Sequence, residues 1–186
     1  MTGISSTMFD TAIGSCGIAW SEHGVVGVQL PESGPSATRA RLARRFPGAA
    51  DVSPPPEITR VIDALAALLA GQRTNLDHVG LDLTGVPPFA SSVYAVARTI
   101  RPGGTLTYGS IADQIGAPGA AREVGEALGR NPFPLIVPCH RVIAAGGKLG
   151  GFSANGGAAT KRRLLAIEQA RAGSGPDLFD ALGGRG

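Results

Sequence analysis

The 186-residue sequence predicts an α/β protein in two parts: a small amino-terminal α/β domain, then a mainly helical carboxy-terminal domain carrying a helix-turn-helix unit. Three observations predict it. Two short β-prone runs, "CGIAW" and "VVGVQL", lie within the first 30 residues. Apolar residues then recur at helical spacing through Ile58, Val61, Ile62, Leu65, Leu68 and Leu69. Further on, "TYGSIADQIGAPGAAREVGEALGRNP" reads as two short helices around a turn bracketed by Gly116 and Gly119. With 43% hydrophobic and 17% charged residues, the chain can bury a core; 28 Gly and 14 Pro make it rich in turns without making it low in complexity.

Taken in order, the two β-prone runs join through Glu22, His23 and Gly24, a turn that favours a hairpin. "ATRARLARRF" reads as a short helix, and "EITRVIDALAALLAG" as a longer one stopped by Gly71 as a carboxy-terminal cap. These make a domain over residues 1–80. "LDLTGVPP" reads as an extended link over 81–88, because its two prolines oppose helix continuation. The second domain spans 89–170: "FASSVYAVARTI" as an amphipathic helix ended by "RPGG", the helix pair, and "TKRRLLAIEQA" with Thr160 placed to cap it. Residues 171–186 read as a flexible tail.

The net charge of +3 is unevenly distributed. Residues 1–90 hold six Arg against eight acids, and residues 91–186 hold eleven Lys or Arg against six. A basic half is a modest pointer to a polyanion, and equally describes a solvated surface. The opening "MTGISSTMFDTAIGSC" lacks the basic and apolar regions of a signal peptide, and no apolar run approaches the roughly 18 residues of a membrane helix. The cytoplasm is the default expectation, and there Cys16 and Cys139 should stay reduced.

Two segments carry candidate chemistry. On the second helix of the pair, Val124 and Leu128 lie roughly 200° and 240° round from Arg122, which therefore points away from the apolar face. Ala120 and Ala121 before it are small enough for a partner to approach the backbone. An ordinary helical hairpin with one solvated Arg fits the same pattern. In "NPFPLIVPCHRV", Cys139 stands between Pro138 and His140. A thiolate is the nucleophilic form of cysteine, and neighbouring cationic or basic groups favour it. Adjacent side chains on a strand face opposite ways, so His140 reaches Cys139 only through a turn or a bridging water. At an ordinary pKa of about 8.5, roughly 7% of a thiol is ionised at pH 7.4, so ionisation alone adds little over tenfold and orientation must supply the rest. An inert core cysteine after "PLIV" is the other reading. His23, His78, His140 and the two cysteines form no metal-binding spacing.

Together, "NPFPLIVPCHRV", the helix pair before it, "GGF" after it and then "KRRLLAIE" resemble the O6-alkylguanine-DNA alkyltransferases, also called methylated-DNA-protein-cysteine methyltransferases. The resemblance covers about residues 89–170, and "GSCGIAWSEHGVVGVQL" fits the family's smaller amino-terminal domain more loosely. It implies a winged-helix-like DNA-binding unit and direct-reversal repair. Cys139 would take the alkyl group from guanine O6 and keep it, so that each molecule acts once. His140 would draw the thiol proton through a water, Glu168 would pair with His140, and Asn131 would hold the turn around the cysteine. Tyr108 would approach the target nucleotide and help protonate the departing guanine. Arg122 would enter the base stack in place of the flipped nucleotide, with Ala120, Ala121, Thr107 and Arg130 completing the DNA-contacting set. Val142, Phe152 and Ser153 would supply the pocket wall and contacts to the guanine. Base flipping is expected physically, because within the duplex a buried thiolate cannot reach guanine O6 in line.

Three features depart from the family pattern. Phe152 stands where many relatives have tyrosine. "SANGGAATK" is about two residues longer than the corresponding loop in some relatives. Glu123 and Glu126 flank Arg122, and their carboxylates repel phosphate. The resemblance implies no cofactor and no metal; Cys16 with His23 would be at most a fragment of a zinc set. The partner it implies is double-stranded DNA containing O6-alkylguanine, bound by a monomer without a membrane, with O4-alkylthymine and cooperation along DNA left open. The rival is a non-catalytic module that recognises alkylated DNA and recruits other factors; a Cys-His hydrolase is a weaker one, lacking a clear oxyanion site.

Overall fold

A computed structural model describes residues 3–168, so the tail expected over 171–186 lies outside the described residues. The chain divides into two compact units. One runs to Val86 and includes Pro132–Ile136; the other comprises Pro87–Asn131 and the chain from Val137 onward.

The first unit is built on a four-stranded sheet in the order β3-β2-β1-β4, formed by β1 (Ser5–Thr11), β2 (Gly14–Ser21), β3 (Gly24–Gln29) and the two-residue β4 (Ala50–Asp51). β1 and β3 are antiparallel to β2, and β4 joins β1 in parallel. The expected hairpin is β2–β3, closed by the pair Ser21–Gly24. β1 was not foreseen; it closes on β2 through the Thr11–Gly14 pair, where the Thr11 hydroxyl donates to the Gly14 carbonyl. Leu81, expected in an extended link, bridges Val25 of β3, and the Asp82 N–H donates to the Val25 carbonyl.

Helix α1 (Pro35–Arg45) starts at a proline, which suits the first helical turn because no N–H is needed there. It crosses β2 closely: a Cβ at Gly17 would sit 2.8 Å from Leu42 Cδ2, so any side chain there would have to push the buried Leu42 aside. Helix α2 (Pro56–Leu69) follows the expected period, burying Ile58, Leu65, Leu68 and Leu69. Gly71, at φ 88°, ends it as expected, with its N–H on the Leu68 carbonyl and the Gln72 N–H on the Ala67 carbonyl, a Schellman motif.

The second unit opens with α3 (Pro88–Arg98), followed by β5 (Leu106–Thr107), α4 (Tyr108–Gln114), α5 (Ala121–Gly129), β6 (Val142–Ile143) and α6 (Gly157–Ile167). The pair α4 and α5 is the expected helix-turn-helix. Thr107 caps α4, its hydroxyl oxygen accepting from the Ser110 N–H at 3.0 Å. Val124 and Leu128 of α5 are buried, and the Tyr94 hydroxyl of α3 donates to the Ala127 carbonyl at 3.0 Å. β5 and β6 pair in parallel. α6 is capped four residues earlier than expected, by Gly156 in the left-handed region, and Thr160 is not its cap. Its hydroxyl lies within the first turn and donates back to the Asn155 carbonyl. No helix among the described residues is long and apolar enough to cross a membrane.

Candidate active site

The segment Cys139–Arg141 is a single 3-10 turn after Pro138, not a strand. The turn follows from the proline, which fixes its own φ, and from two short hydrogen bonds: the Cys139 N–H to the Val137 carbonyl (2.8 Å) and the Arg141 N–H to the Pro138 carbonyl (2.9 Å). The alternation that would separate Cys139 from His140 therefore does not apply. Asn131 braces the turn from outside, its side-chain amide donating to the Val137 carbonyl at 2.9 Å.

Behind the turn lies a buried ionic cluster. His140 is fully buried, and its Nε2 stands 2.8 Å from Glu168 Oε1. Arg141 grips the same carboxylate with two N–H groups, Nε on Oε2 and Nη2 on Oε1, both at 2.8 Å, and its Nη1 donates to the Ile100 carbonyl at 2.6 Å. Burial would raise the Glu168 pKa, but hydrogen bonds from His140 and Arg141 outweigh it and hold the carboxyl at about 2. Glu168 is thus ionised, and Arg141 balances its charge. Burial pushes the His140 pKa down from its usual 6.5, against the pull of Glu168, so at neutral pH the imidazole is uncharged. With Nε2–H committed to an ionised carboxylate, Nδ1 is the basic nitrogen; it is buried and has no hydrogen-bond partner among the described residues.

Cys139 is 8% exposed and lines a cavity of about 610 Å³ together with Tyr108, Arg122, Gly125, Phe152 and Ser153. Burial raises its thiol pKa, while the Asn131 side chain, the Lys161 charge and the backbone N–H groups of Cys139 and His140 oppose the rise. These are groups that stabilise a thiolate, and a buried site makes each of them stronger than water would allow.

Tyr108 forms one wall at the start of α4. Gly150 is the reason it fits, since a Cβ there, at φ 70°, would lie 2.8 Å from the Tyr108 hydroxyl. Burial, then the neighbouring Cys139, raises the Tyr108 pKa and keeps it a phenol, able to donate a proton. Arg122 stands on α5 with its side chain 88% exposed, and its Nε donates to Glu126 Oε1 at 3.3 Å. Ala120 caps α5 and Ala121 opens it; Arg130 ends it. Val142 differs from expectation: it is fully buried, its carbonyl accepts from Lys161, and it is not part of the cavity lining.

Two buried cations were missed in the sequence. Nothing in the sequence marks Arg141, next to His140, as a partner of Glu168. Lys161 lies in the expected last helix with no role assigned to it, yet it is fully buried, with Nζ donating to the carbonyls of Val142 (2.6 Å) and Gly151 (3.2 Å) and to the Tyr108 hydroxyl (3.4 Å). Burial lowers its pKa to about 8. A signal was present: Lys161, Leu164, Leu165 and Glu168 fall at i, i+3, i+4 and i+7, one face of α6. Cys16, by contrast, is inert. It is sealed in β2, its thiol pushed up to about 12 by burial, and no cluster of three metal-binding side chains exists among the described residues.

Residues 88–170 match the family of the 6-O-methylguanine DNA methyltransferase DNA-binding domain. A methylated-DNA–protein-cysteine methyltransferase from Mycobacterium tuberculosis is 51% identical over 126 residues, 68% of this chain and 74% of that one. One of the same name from Methanothermobacter thermautotrophicus is 36% identical over 152 residues, 82% of this chain and 78% of that one. The crystal structure of Mycobacterium tuberculosis OGT in complex with DNA superposes with a TM-score of 0.72 at 40% identity, covering 95% of this chain and 99% of the other. The buried Cys-His-Glu arrangement beside a helix-turn-helix thus stands on a chain that belongs to the methylated-DNA–protein-cysteine methyltransferase family.

Proposed function

We propose that this protein repairs O6-alkylguanine in double-stranded DNA by transferring the alkyl group to Cys139, once per molecule, in the cytoplasm and as a monomer. The observation that carries the proposal is the cavity wall at Cys139, followed in the same turn by a neutral His140 whose Nδ1 is buried without a hydrogen-bond partner among the described residues.

The chemistry balances without a cofactor. The Cys139 thiol gives its proton through a water to His140 Nδ1, and the imidazolium formed is stabilised by Glu168 through Nε2–H. The sulfur attacks the alkyl carbon, a C–S bond forms, and the C–O6 bond breaks with its electron pair passing to the guanine. Tyr108 donates a proton to that guanine, and the Lys161 ammonium at 3.4 Å restores the phenol. In sum, a proton replaces the alkyl group on guanine. A thioether offers no leaving group of comparable ease, so the protein is consumed.

On DNA, the exposed Arg122 fills the space of the flipped nucleotide. Ala120 and Ala121 let α5 approach the minor groove, and Thr107 and Arg130 contact the backbone at the two ends of the helix pair. Such a footprint reads groove shape more than bases. Phe152 and Ser153 close on the flipped guanine, with Phe152 offering an apolar face and no hydroxyl. The test is intact mass and peptide mapping after mixing the protein with a duplex carrying one O6-methylguanine. One methyl on the peptide holding Cys139, with plain guanine left behind, is expected. An unmodified protein bound to an unrepaired duplex would favour the recognition-module reading instead.

A further inference from the structure

The chain between Asn131 and Cys139 is held at a point the mechanism does not use. Arg45, half-buried in the last turn of α1, donates from Nη1 to the Val28 carbonyl (2.8 Å) and to Gln29 Oε1 (3.0 Å), and from Nη2 to the Pro132 carbonyl (3.1 Å). The Val28 N–H donates to the same Pro132 carbonyl at 2.9 Å. Gln29 is itself pinned, its amide donating to the Leu30 carbonyl and to Glu32. The guanidinium stacks on Phe46 at 5.2 Å, and a Cβ at Gly27 would fall 2.4 Å from that ring and 3.0 Å from the Pro132 oxygen.

From Pro132 the segment runs through Phe133, Leu135 and Ile136, each 1% exposed. Leu135 holds φ 74°, the one non-glycine in the left-handed region among the described residues, a conformation that persists only where surroundings impose it. Two residues later the Val137 carbonyl accepts from Asn131 and from the Cys139 N–H. The peptide leading to Cys139 is therefore tied at Pro132, wound through a strained residue, and tied again at Val137.

We propose that Arg45 is a positioning residue for Cys139: by holding the Pro132 carbonyl it keeps the strained segment in register, so that the turn at Cys139 presents its sulfur to the cavity. The inference rests on the alkyl-transfer reading, and it makes the first unit a working part of the reaction. A nucleophile displaced by about an ångström can lose on the order of a hundredfold in rate, so loosening one of the two ties is expected to cost about tenfold.

The test uses the full chain with Arg45→Met, which keeps an apolar stem and removes the donors, and Arg39→Met, an exposed position on the same helix, as control. Single-turnover transfer is timed from an O6-methylguanine duplex and from free O6-benzylguanine, at a temperature where every variant is folded, and Cys139 modification by iodoacetamide is mapped by mass across pH. The expected result is a roughly equal, about tenfold loss on both alkyl donors for Arg45→Met, unchanged duplex affinity, and an altered iodoacetamide profile; Arg39→Met behaves as wild type. Wild-type transfer rates in an Arg45→Met protein that is merely less stable overturn the proposal. If Arg45→Met does not fold, Arg45→Lys decides: slower Cys139 modification at equal folded fraction supports the role, and unchanged modification refutes it. Should the wild type transfer no alkyl group at all, the functional reading fails, while the iodoacetamide arm still reports whether Arg45 sets the reactivity of Cys139.

Discussion

Replacing Glu168 by glutamine tests the buried cluster, because the change keeps the shape and removes the charge. The carboxylate accepts one hydrogen bond from His140 and two from Arg141. An amide offers one acceptor oxygen and turns two N–H donors toward the Arg141 or His140 donors, leaving the guanidinium buried without a counter-charge. A carboxyl held at about 2 against an ordinary 4.5 stabilises the fold by about 3 kcal/mol at neutral pH. Breaking a buried ion pair costs a similar amount, roughly 3–5 kcal/mol. For a chain of this size, each kcal/mol moves the thermal midpoint by about 2–4 °C, so Glu168→Gln should melt about 6–12 °C lower at pH 7. The sign with pH is fixed by the depressed pKa: the stabilisation is complete above 4.5 and is lost as pH falls toward about 2. The gap between wild type and variant, measured by circular dichroism melts at several pH values, must narrow below pH 4.5. A variant that melts with the wild type at pH 7, or a gap that stays constant on acidification, would refute the reasoning.

Gly71→Ala forces a Cβ into the left-handed cap of α2 and should cost about 1–2 kcal/mol, read as a lower denaturation midpoint; an unchanged midpoint would mean the Schellman cap contributes nothing. Lys161→Met removes a charge that favours the Cys139 thiolate, so the pH profile of Cys139 alkylation by iodoacetamide should move to higher pH, and a profile that stays in place would remove Lys161 from the site's electrostatics. Arg122→Ala should slow repair of duplex DNA far more than transfer from free O6-benzylguanine, since Arg122 acts only where a base stack must be filled; equal loss on both would exclude that role.

What the sequence disclosed follows how each residue's physics is written in its neighbours. The α2 period and the Gly71 stop are local and were legible. β1 was not, because "SSTMFDT" has no apolar alternation and becomes a strand only by pairing along the whole of β2. Thr160 looked like a cap by type, but Gly156 and Gly157, with positive φ, let the helix begin earlier. Cys139, His140 and Glu168 were legible as a set through the family pattern. Arg141 and Lys161 were hidden because charged residues default to the surface, and only the partner arrangement, formed across 27 and 19 residues of chain, makes their burial possible.

The burial of Cys139 bears on the direction of the proposed reaction as well as its rate. A site that raises the thiol pKa holds the anionic sulfur at high free energy relative to any neutral form. The resting thiol and the alkylated sulfur are both neutral, so the enclosure penalises only the anion that lies between them. Reversal would require an anion to re-form in that enclosure and a stable guanine to take the carbon back. The pocket therefore works as a kinetic lock: once the sulfur is alkylated, giving the carbon back would mean expelling a thiolate into a site that disfavours one.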